Sequence, residues 1–196
     1  MTLEIYSIGH STQPGESFAE LLHRHAVKVV ADVRSQPYSR RNPQFNRERL
    51  ASALGGSGIQ YLFLGKELGA RCEDPACYID DRVQYSLLAQ TALFREGIER
   101  LLHEAAQHRV ALMCAEKEPL ECHRTLLVAR ELEQRGARVQ HIHIDGRLES
   151  HSDAMTRLVT QLRLSPDLFL DARTLQDEAY ERQGQRIAYQ RPATRK

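Results

Sequence analysis

No apolar run in this sequence approaches the roughly 18 residues that a membrane-spanning helix needs, so no segment reads as crossing a bilayer. The opening residues, Met1-Thr2-Leu3-Glu4-Ile5-Tyr6, lack a basic start followed by an apolar stretch, and no secretory signal is expected. An excess of one charge is also missing. The 27 Lys and Arg residues meet 26 Asp and Glu, for a net charge of +1, which excludes a histone-like, charge-driven nucleic-acid binder but leaves room for a local basic patch. Lysine is scarce, at 4 residues against 23 arginines. Arginine reads planar anions better, although genome composition gives the same bias. There is no internal repeat, no Walker loop and no glycine triplet after the first strand, where Gly9 stands alone. A Cys-x5-Arg phosphatase loop is absent as well, because Leu120 and Val128 stand where its arginine would follow Cys114 and Cys122. Cysteines number only 4 (Cys72, Cys77, Cys114, Cys122), and without a secretion signal they point to reduced thiols in a cytoplasm.

What is present fits a globular protein. The chain has 196 residues, 41% hydrophobic and 27% charged, which is enough to bury a core without disulfides or metal. Residues 3–8, 27–33, 59–64, 109–114 and 138–144 read as strands, and Val27–Val33 is apolar enough to be buried on both faces. Phe18, Leu21, Leu22 and His25 recur at helical spacing. Asn46 is placed to cap a helix ending at Gly55-Gly56, a long helical stretch covers 83–107, and Cys122–Gln134 closes on Arg135-Gly136. Residues 65–82 are irregular. This alternation predicts an α/β fold: an open, mainly parallel, Rossmann-like five-stranded sheet with helices on both faces, over residues 1–145. Residues 146–196 predict a C-terminal helical appendage on the same domain. It comprises helices at 151–164 and 171–183, a short apolar segment Pro166–Leu170, and a frayed end from Gln190 to Lys196.

Right-handed crossovers place all the strand carboxyl ends on one edge, where open α/β sheets bind ligands. The sequence puts His10 and Ser11 there from the first strand and Asp32, Arg34 and Ser35 from the second. Gly65 and Glu67 follow from the third, Cys114 and Glu116 from the fourth, and His143 and Asp145 from the fifth. The densest segment is Cys114-Ala115-Glu116-Lys117-Glu118-Pro119-Leu120-Glu121-Cys122-His123-Arg124, which runs from a strand end into a helix start. A helix start favours anions and lowers thiol pKa values. Arg124 there makes sense against an anionic ligand or Glu116, and His123 is a proton carrier near neutral pH. Against this, Cys114 also reads as a small buried hydrophobe, and His123 and Arg124 as residues that merely shape the loop. Asp32 in a buried strand needs a partner, and a turn at the strand end could bring Arg34 round to it. Arg34, Arg40 and Arg41 on one loop suit phosphate or carboxylate, and Tyr38 and Phe45 could stack on a base. Cys72-x4-Cys77 and Cys114-x7-Cys122-His123 hold enough soft ligands for a tetrahedral metal, without the tight spacing of a zinc knuckle. His141 and His143 alternate on one strand, and most of the 9 histidines are expected at the surface.

Four groups of residues occur together in order: Ser7-Ile8-Gly9-His10-Ser11; Asp32-Val33-Arg34-Ser35-Gln36-Pro37 with Ser39-Arg40; Leu64-Gly65 with Leu68-Gly69; and Cys114-Ala115-Glu116 with Cys122-His123-Arg124. Over about residues 3–145 the chain resembles the bacterial and archaeal domain of unknown function 488 family. The resemblance implies an α/β domain whose motifs meet at one site, and it implies no activity. It leaves Cys72 and Cys77 outside that site.

The resulting expectation is an enzyme acting on an anionic substrate that bears phosphate, such as a nucleotide or nucleic-acid end. Cys114 is the candidate nucleophile, Glu116 or His123 is the acid/base group, and Asp32 orients Arg34 or His10. Arg34, Arg40 and Arg124 would hold the anion, and His10 and Ser11 would donate to it. The alternatives are a non-catalytic nucleotide or nucleic-acid binding module, and a metal site at the cysteines. No cofactor is called for. The partners expected are a small anion or nucleic acid, with no membrane and with homo-oligomerisation left open.

Overall fold

The computed structural model describes residues 2–165 and 171–192. Strand β1 (Glu4–Gly9) leads into α1 (Gly15–Arg24), then β2 (Val29–Asp32), α2 (Arg47–Gly56) and β3 (Gln60–Phe63). A hairpin of β4 (Tyr78–Ile79) and β5 (Arg82–Val83) precedes α3 (Tyr85–Leu88), α4 (Ala92–Ala105) and β6 (Val110–Cys114). A π-helical segment, Arg124–Ala129, continues as α5 (Arg130–Gln134). Then come β7 (Arg138–Ile142), β8 (Leu148–Ser150), α6 (His151–Gln161) and α7 (Ala172–Ile187).

The strands form one six-stranded sheet in the order β3-β2-β6-β1-β7-β8. All pairs are parallel except β7–β8, which is antiparallel. The expected open, mainly parallel α/β sheet is therefore present, with five strands where they were predicted and a sixth added. Leu148-Glu149-Ser150 was read as part of the appendage because three residues, one of them charged, carry no strand signal.

The chain winds from β1 to β2 and β3 in one direction and from β6 to β7 in the other, so right-handed crossovers place helices on opposite faces. On one face Phe18, Leu21 and Leu22 of α1 and Leu50 and Leu54 of α2 cover Tyr6, Ile8, Val30, Ala111 and Met113. On the other, Phe94, Ile98 and Leu101 of α4 and Leu127, Val128 and Leu132 cover Ile5, Ala31, Leu112 and Val139. Each large apolar side chain buried this way contributes about 1.5–3 kcal/mol. Thr91 caps α4 by accepting from the Phe94 N–H, and Ser150 caps α6 through Asp153. Asn46 sits at the start of α2, yet its side chain accepts from the Ser39 N–H at 2.7 Å and ties down the 34–45 loop instead of capping the helix.

A third apolar cluster joins Ala154, Met155 and Leu158 of α6 and Ala179 and Tyr180 of α7 to Leu120 and Leu126. Gln190 and Arg191, expected in a frayed end, are held in place. Arg82 bridges Gln190, the Arg191 N–H donates to the Asp81 carbonyl, and the Arg191 guanidinium lies 3.6 Å from the Tyr78 ring centroid. The expected segment Pro166–Leu170 and residues 193–196 lie outside the described residues. The expectation for histidine is also corrected: His10, His123, His141, His143 and His151 are all buried. Two of them share a hydrogen-bonded line through the core, from the Arg124 guanidinium to the Ser7 hydroxyl, His141, His151 and the Tyr180 hydroxyl. Among the described residues no helix is long and apolar enough to cross a membrane.

Candidate active site at the carboxyl edge of the sheet

β1, β6 and β2 lie side by side, and their carboxyl ends carry the site. Hydrogen bonds from the His10 and Ser11 N–H groups to the Cys114 and Ala115 carbonyls extend the β1–β6 pairing past the strands. Gly9 lets this happen: a Cβ there would overlap the Glu116 carbonyl, so only glycine allows the 114–118 loop to lie against β1.

Asp32 is fully buried and holds Arg34. Oδ1 accepts from the Arg34 N–H at 3.1 Å and Nε at 2.9 Å, and Oδ2 accepts from Nη2 at 2.7 Å and the Tyr61 hydroxyl at 2.6 Å. Arg34 also donates to the Phe45 carbonyl and to His10 Nε2. Four of its five N–H groups are thus occupied, leaving one on Nη1. His10 donates from Nδ1 to the Ser11 carbonyl at 2.8 Å and stacks on Phe45. Burial pushes its pKa down to about 4, and the neighbouring Arg34 adds to that. His10 is therefore a neutral ring with both nitrogens committed, and it cannot donate to a substrate anion as expected.

Arg124 is the largest fully buried side chain. It donates to the Glu116 carbonyl at 2.7 Å, the Lys117 carbonyl at 3.4 Å and Ser7 Oγ at 3.2 Å. Among the described residues no carboxylate pairs with it. It shapes the 114–118 loop from behind and brings a positive charge into the core beside Cys122, but it lies outside the cavity lining, so it does not hold an anion directly. The predicted helix start is also modified, because the first turns after His123 are π-helical, a feature common near functional sites.

In front of Arg124, Cys114, Cys122 and His123 come together. The ligand-type atoms of the three lie within 4.8 Å of one another. His123 Nδ1 is 3.8 Å from Cys114 Sγ and 3.9 Å from Cys122 Sγ, and its Nε2 is 3.0 Å from the Val33 carbonyl. A carbonyl can only accept, so Nε2 carries the hydrogen and the Nδ1 lone pair of the neutral ring faces the sulfurs. Glu116 Oε2 is 3.0 Å from Cys122 Sγ, and the Arg124 N–H donates to the same sulfur.

Hydrogen bonding to Cys122 and burial push the Cys114 thiol well up. Burial also acts to raise Cys122, but the Cys114 S–H, Arg124 and His123 outweigh it and hold this thiol well below the ordinary range. His123 is moved upward: burial opposes its charge, and the Cys122 sulfur beside it overcomes that. Burial and the same sulfur raise Glu116. The polarised thiol is Cys122. Cys114, the residue the strand position favoured as nucleophile, lies at nearly the same distance from His123 Nδ1, and what sets Cys122 apart is the Arg124 N–H and the Glu116 carboxylate at its sulfur.

These groups floor a cavity of about 300 Å³ lined by Arg34, Ser35, Arg71, Tyr85, Cys114, Glu116, Cys122, His123 and Tyr189, among others. Arg71, Tyr85, Ile187 and Tyr189 carried no signal in the sequence reading, since they come from the irregular 65–82 loop, α3 and the C-terminal end. Arg71 stacks over Tyr189 at 4.6 Å and pairs with no carboxylate among the described residues. His10, Ser11, Arg40 and Arg124 are not in the lining. Arg40 is exposed, and Ser11 is half-buried in a left-handed turn (φ 49°). His143 and Asp145, also expected at this edge, are engaged elsewhere: His143 meets Glu149 at 2.8 Å, and Asp145 sits in the exposed turn with Arg147. Glu67 pairs with Arg100.

The family profile described as Domain of unknown function DUF488 matches residues 15–130, more than half of the chain. The matched stretch holds Asp32, Arg34, Cys114, Glu116, Cys122, His123 and Arg124, and ends before α6 and α7. No curated protein and no solved structure matches the chain.

Proposed function

We propose, from the premise that this chain belongs to the domain of unknown function 488 family, that it is an enzyme acting on a small anionic substrate in this cavity. Cys122 is the nucleophile, and His123 and Glu116 carry the protons. The observation behind this reading is the contact group itself: one thiol in reach of both an imidazole nitrogen and a carboxylate, on the floor of a cavity lined by two arginines. A nucleophile beside a base that a third group orients is the common arrangement of covalent catalysis, and here the Val33 carbonyl orients His123.

Arg71 and the remaining Nη1 hydrogen of Arg34 receive the anionic group. The Cys122 sulfur then forms a bond to the electrophilic centre as the bond to the leaving group breaks, and the leaving group takes the proton held by His123. Water, passing its proton through Glu116 to His123, releases the product and restores both the thiolate and the His123 proton. Acid–base help of this kind contributes on the order of 10²–10⁴-fold to rate. A non-catalytic nucleic-acid module would use the exposed Tyr38 and Arg40, which are absent from the cavity lining.

The test is alkylation of the reduced, chelator-treated protein by iodoacetamide at pH 7, with all four cysteines quantified by mass spectrometry. Cys122 is expected to react first, inorganic phosphate or small phosphorylated compounds are expected to slow it, and Arg71→Ala removes that protection. A Cys122 that reacts no faster than Cys77, or only after unfolding, overturns the reading.

A further inference from the structure

We propose that Cys114, Cys122 and His123 form a binding site for one soft divalent cation of the zinc class, with Glu116 beside it and the cavity side open. The proposal shares its residues with the function above but does not depend on their reactivity.

The geometry is that of a tetrahedral site slightly expanded. Bond lengths of about 2.3 Å to sulfur and about 2.0–2.1 Å to nitrogen put sulfur and nitrogen about 3.6 Å apart around one zinc. The two sulfur–nitrogen separations here are 3.8 and 3.9 Å, and all three ligand atoms lie within 4.8 Å of one another, so the nitrogen closes by a few tenths of an ångström and the sulfurs by at most about 1 Å. The histidine is presented as metal-bound histidines are. Its far nitrogen donates to a backbone carbonyl, which fixes the tautomer and turns the free lone pair toward the sulfurs. The Arg124 N–H on Cys122 Sγ is an outer hydrogen bond to a ligand sulfur.

Charge supports the same assignment. Cys114 and Cys122 are buried together and can both be anions, Glu116, itself exposed, touches Cys122 Sγ, and Arg124 is the nearby buried cation. Without a further positive charge, protons must fill the gaps between them. A divalent cation neutralises the two thiolates, and Arg124 then offsets Glu116. Two thiolates and an imidazole select zinc-class ions over magnesium or calcium, which prefer oxygen. Three protein ligands with a fourth position toward a cavity is the pattern of an open site, not a closed structural one. A bound cation occupies the lone pair with which Cys122 would attack, so the loaded and thiol-reactive forms are alternatives of one site.

Cobalt(II) is the probe. The reduced, chelator-treated full chain, titrated with Co²⁺, should take up one equivalent, show thiolate-to-cobalt charge transfer with the visible bands of a tetrahedral ion, and lose both when Zn²⁺ is added. Cys122→Ser and Cys114→Ser should abolish the bands, and the double variant Cys72→Ser/Cys77→Ser should keep them. Because the single variants risk misfolding, the wild-type chain supplies a second readout: Zn²⁺ should protect Cys114 and Cys122 from alkylation and leave Cys72 and Cys77 unprotected. Absence of the bands, or their dependence on Cys72 and Cys77, overturns the site. Fast Cys122 alkylation without cobalt bands refutes this inference alone. Cobalt bands with inert thiols in the metal-free protein refute the nucleophile alone.

Discussion

Replacing Asp32 by asparagine tests the frame on which the site rests. Four donors converge on its carboxylate: the Arg34 N–H and Nε on Oδ1, and Arg34 Nη2 and the Tyr61 hydroxyl on Oδ2. Asparagine keeps the shape and one acceptor oxygen, but its amide N–H₂ faces two of those donors. Two hydrogen bonds to a charged group are lost, at about 1.5–3 kcal/mol each. The Arg34 cation also stays buried without its counter-charge, and removing one member of a buried pair costs about 3–5 kcal/mol in total. For a domain of this size each kcal/mol moves the midpoint by about 2–4 °C, so Asp32→Asn should melt about 6–20 °C below the parent. Urea unfolding followed by circular dichroism gives the free-energy difference directly. The double variant Asp32→Leu/Arg34→Met should be less destabilised than Asp32→Asn, because no buried charge is left unpaired. A loss below about 1 kcal/mol for Asp32→Asn, or a double variant no better than the single, refutes the assignment of Asp32 as the residue that fixes Arg34.

Other perturbations probe other links. His10 and His151 are both held down to about 4 by burial, so the unfolded chain binds more protons than the folded one between pH 4 and the ordinary histidine range near 6.5. Stability should be full above about pH 6.5 and fall as the pH drops toward 4, by about 3 kcal/mol per ring. A flat urea midpoint across that window refutes this. Gly9→Ala drives a Cβ into the Glu116 carbonyl and should cost about 1–3 kcal/mol while slowing Cys122 alkylation, whereas an unchanged melt and rate would show that the loop gives way freely. Tyr180→Phe removes the 2.6 Å hydrogen bond to His151 and should cost about 1–3 kcal/mol by urea unfolding, with a neutral result placing α7 outside the cooperative unit. Arg71→Ala, at an exposed position, should leave stability within about 0.5 kcal/mol while removing anion protection of Cys122.

Much of the fold is legible because its signals are local. The apolar runs of β2 and β6 and the spacing of Phe18, Leu21 and Leu22 carry their own periodicity. β8 was hidden because Leu148-Glu149-Ser150 becomes a strand only by pairing with β7. In the site, the need of Asp32 for a partner follows from a charge placed inside a strand, and the gathering of Cys114, Glu116, Cys122 and His123 on one short loop is visible in the chain, but their contact is not. Which group does what was not legible. Arg124 and His10 look like ligand-binding residues in one dimension, and only packing shows them enclosed by carbonyls and by Arg34. Cys114 and Cys122 differ through the groups around them, not through position. Arg71, Tyr85 and Tyr189 reach the cavity from three separate segments that no local pattern connects.

The central claim is that Cys122 and His123 act as one unit on the floor of the cavity. The most direct test is the second-order rate constant for iodoacetamide at Cys122, at pH 7 in reduced, chelator-treated protein, for the parent and for His123→Gln. Cys122 should be the fastest of the four cysteines in the parent and slow by about tenfold or more without the imidazole. Equal rates in a folded His123→Gln variant would contradict it.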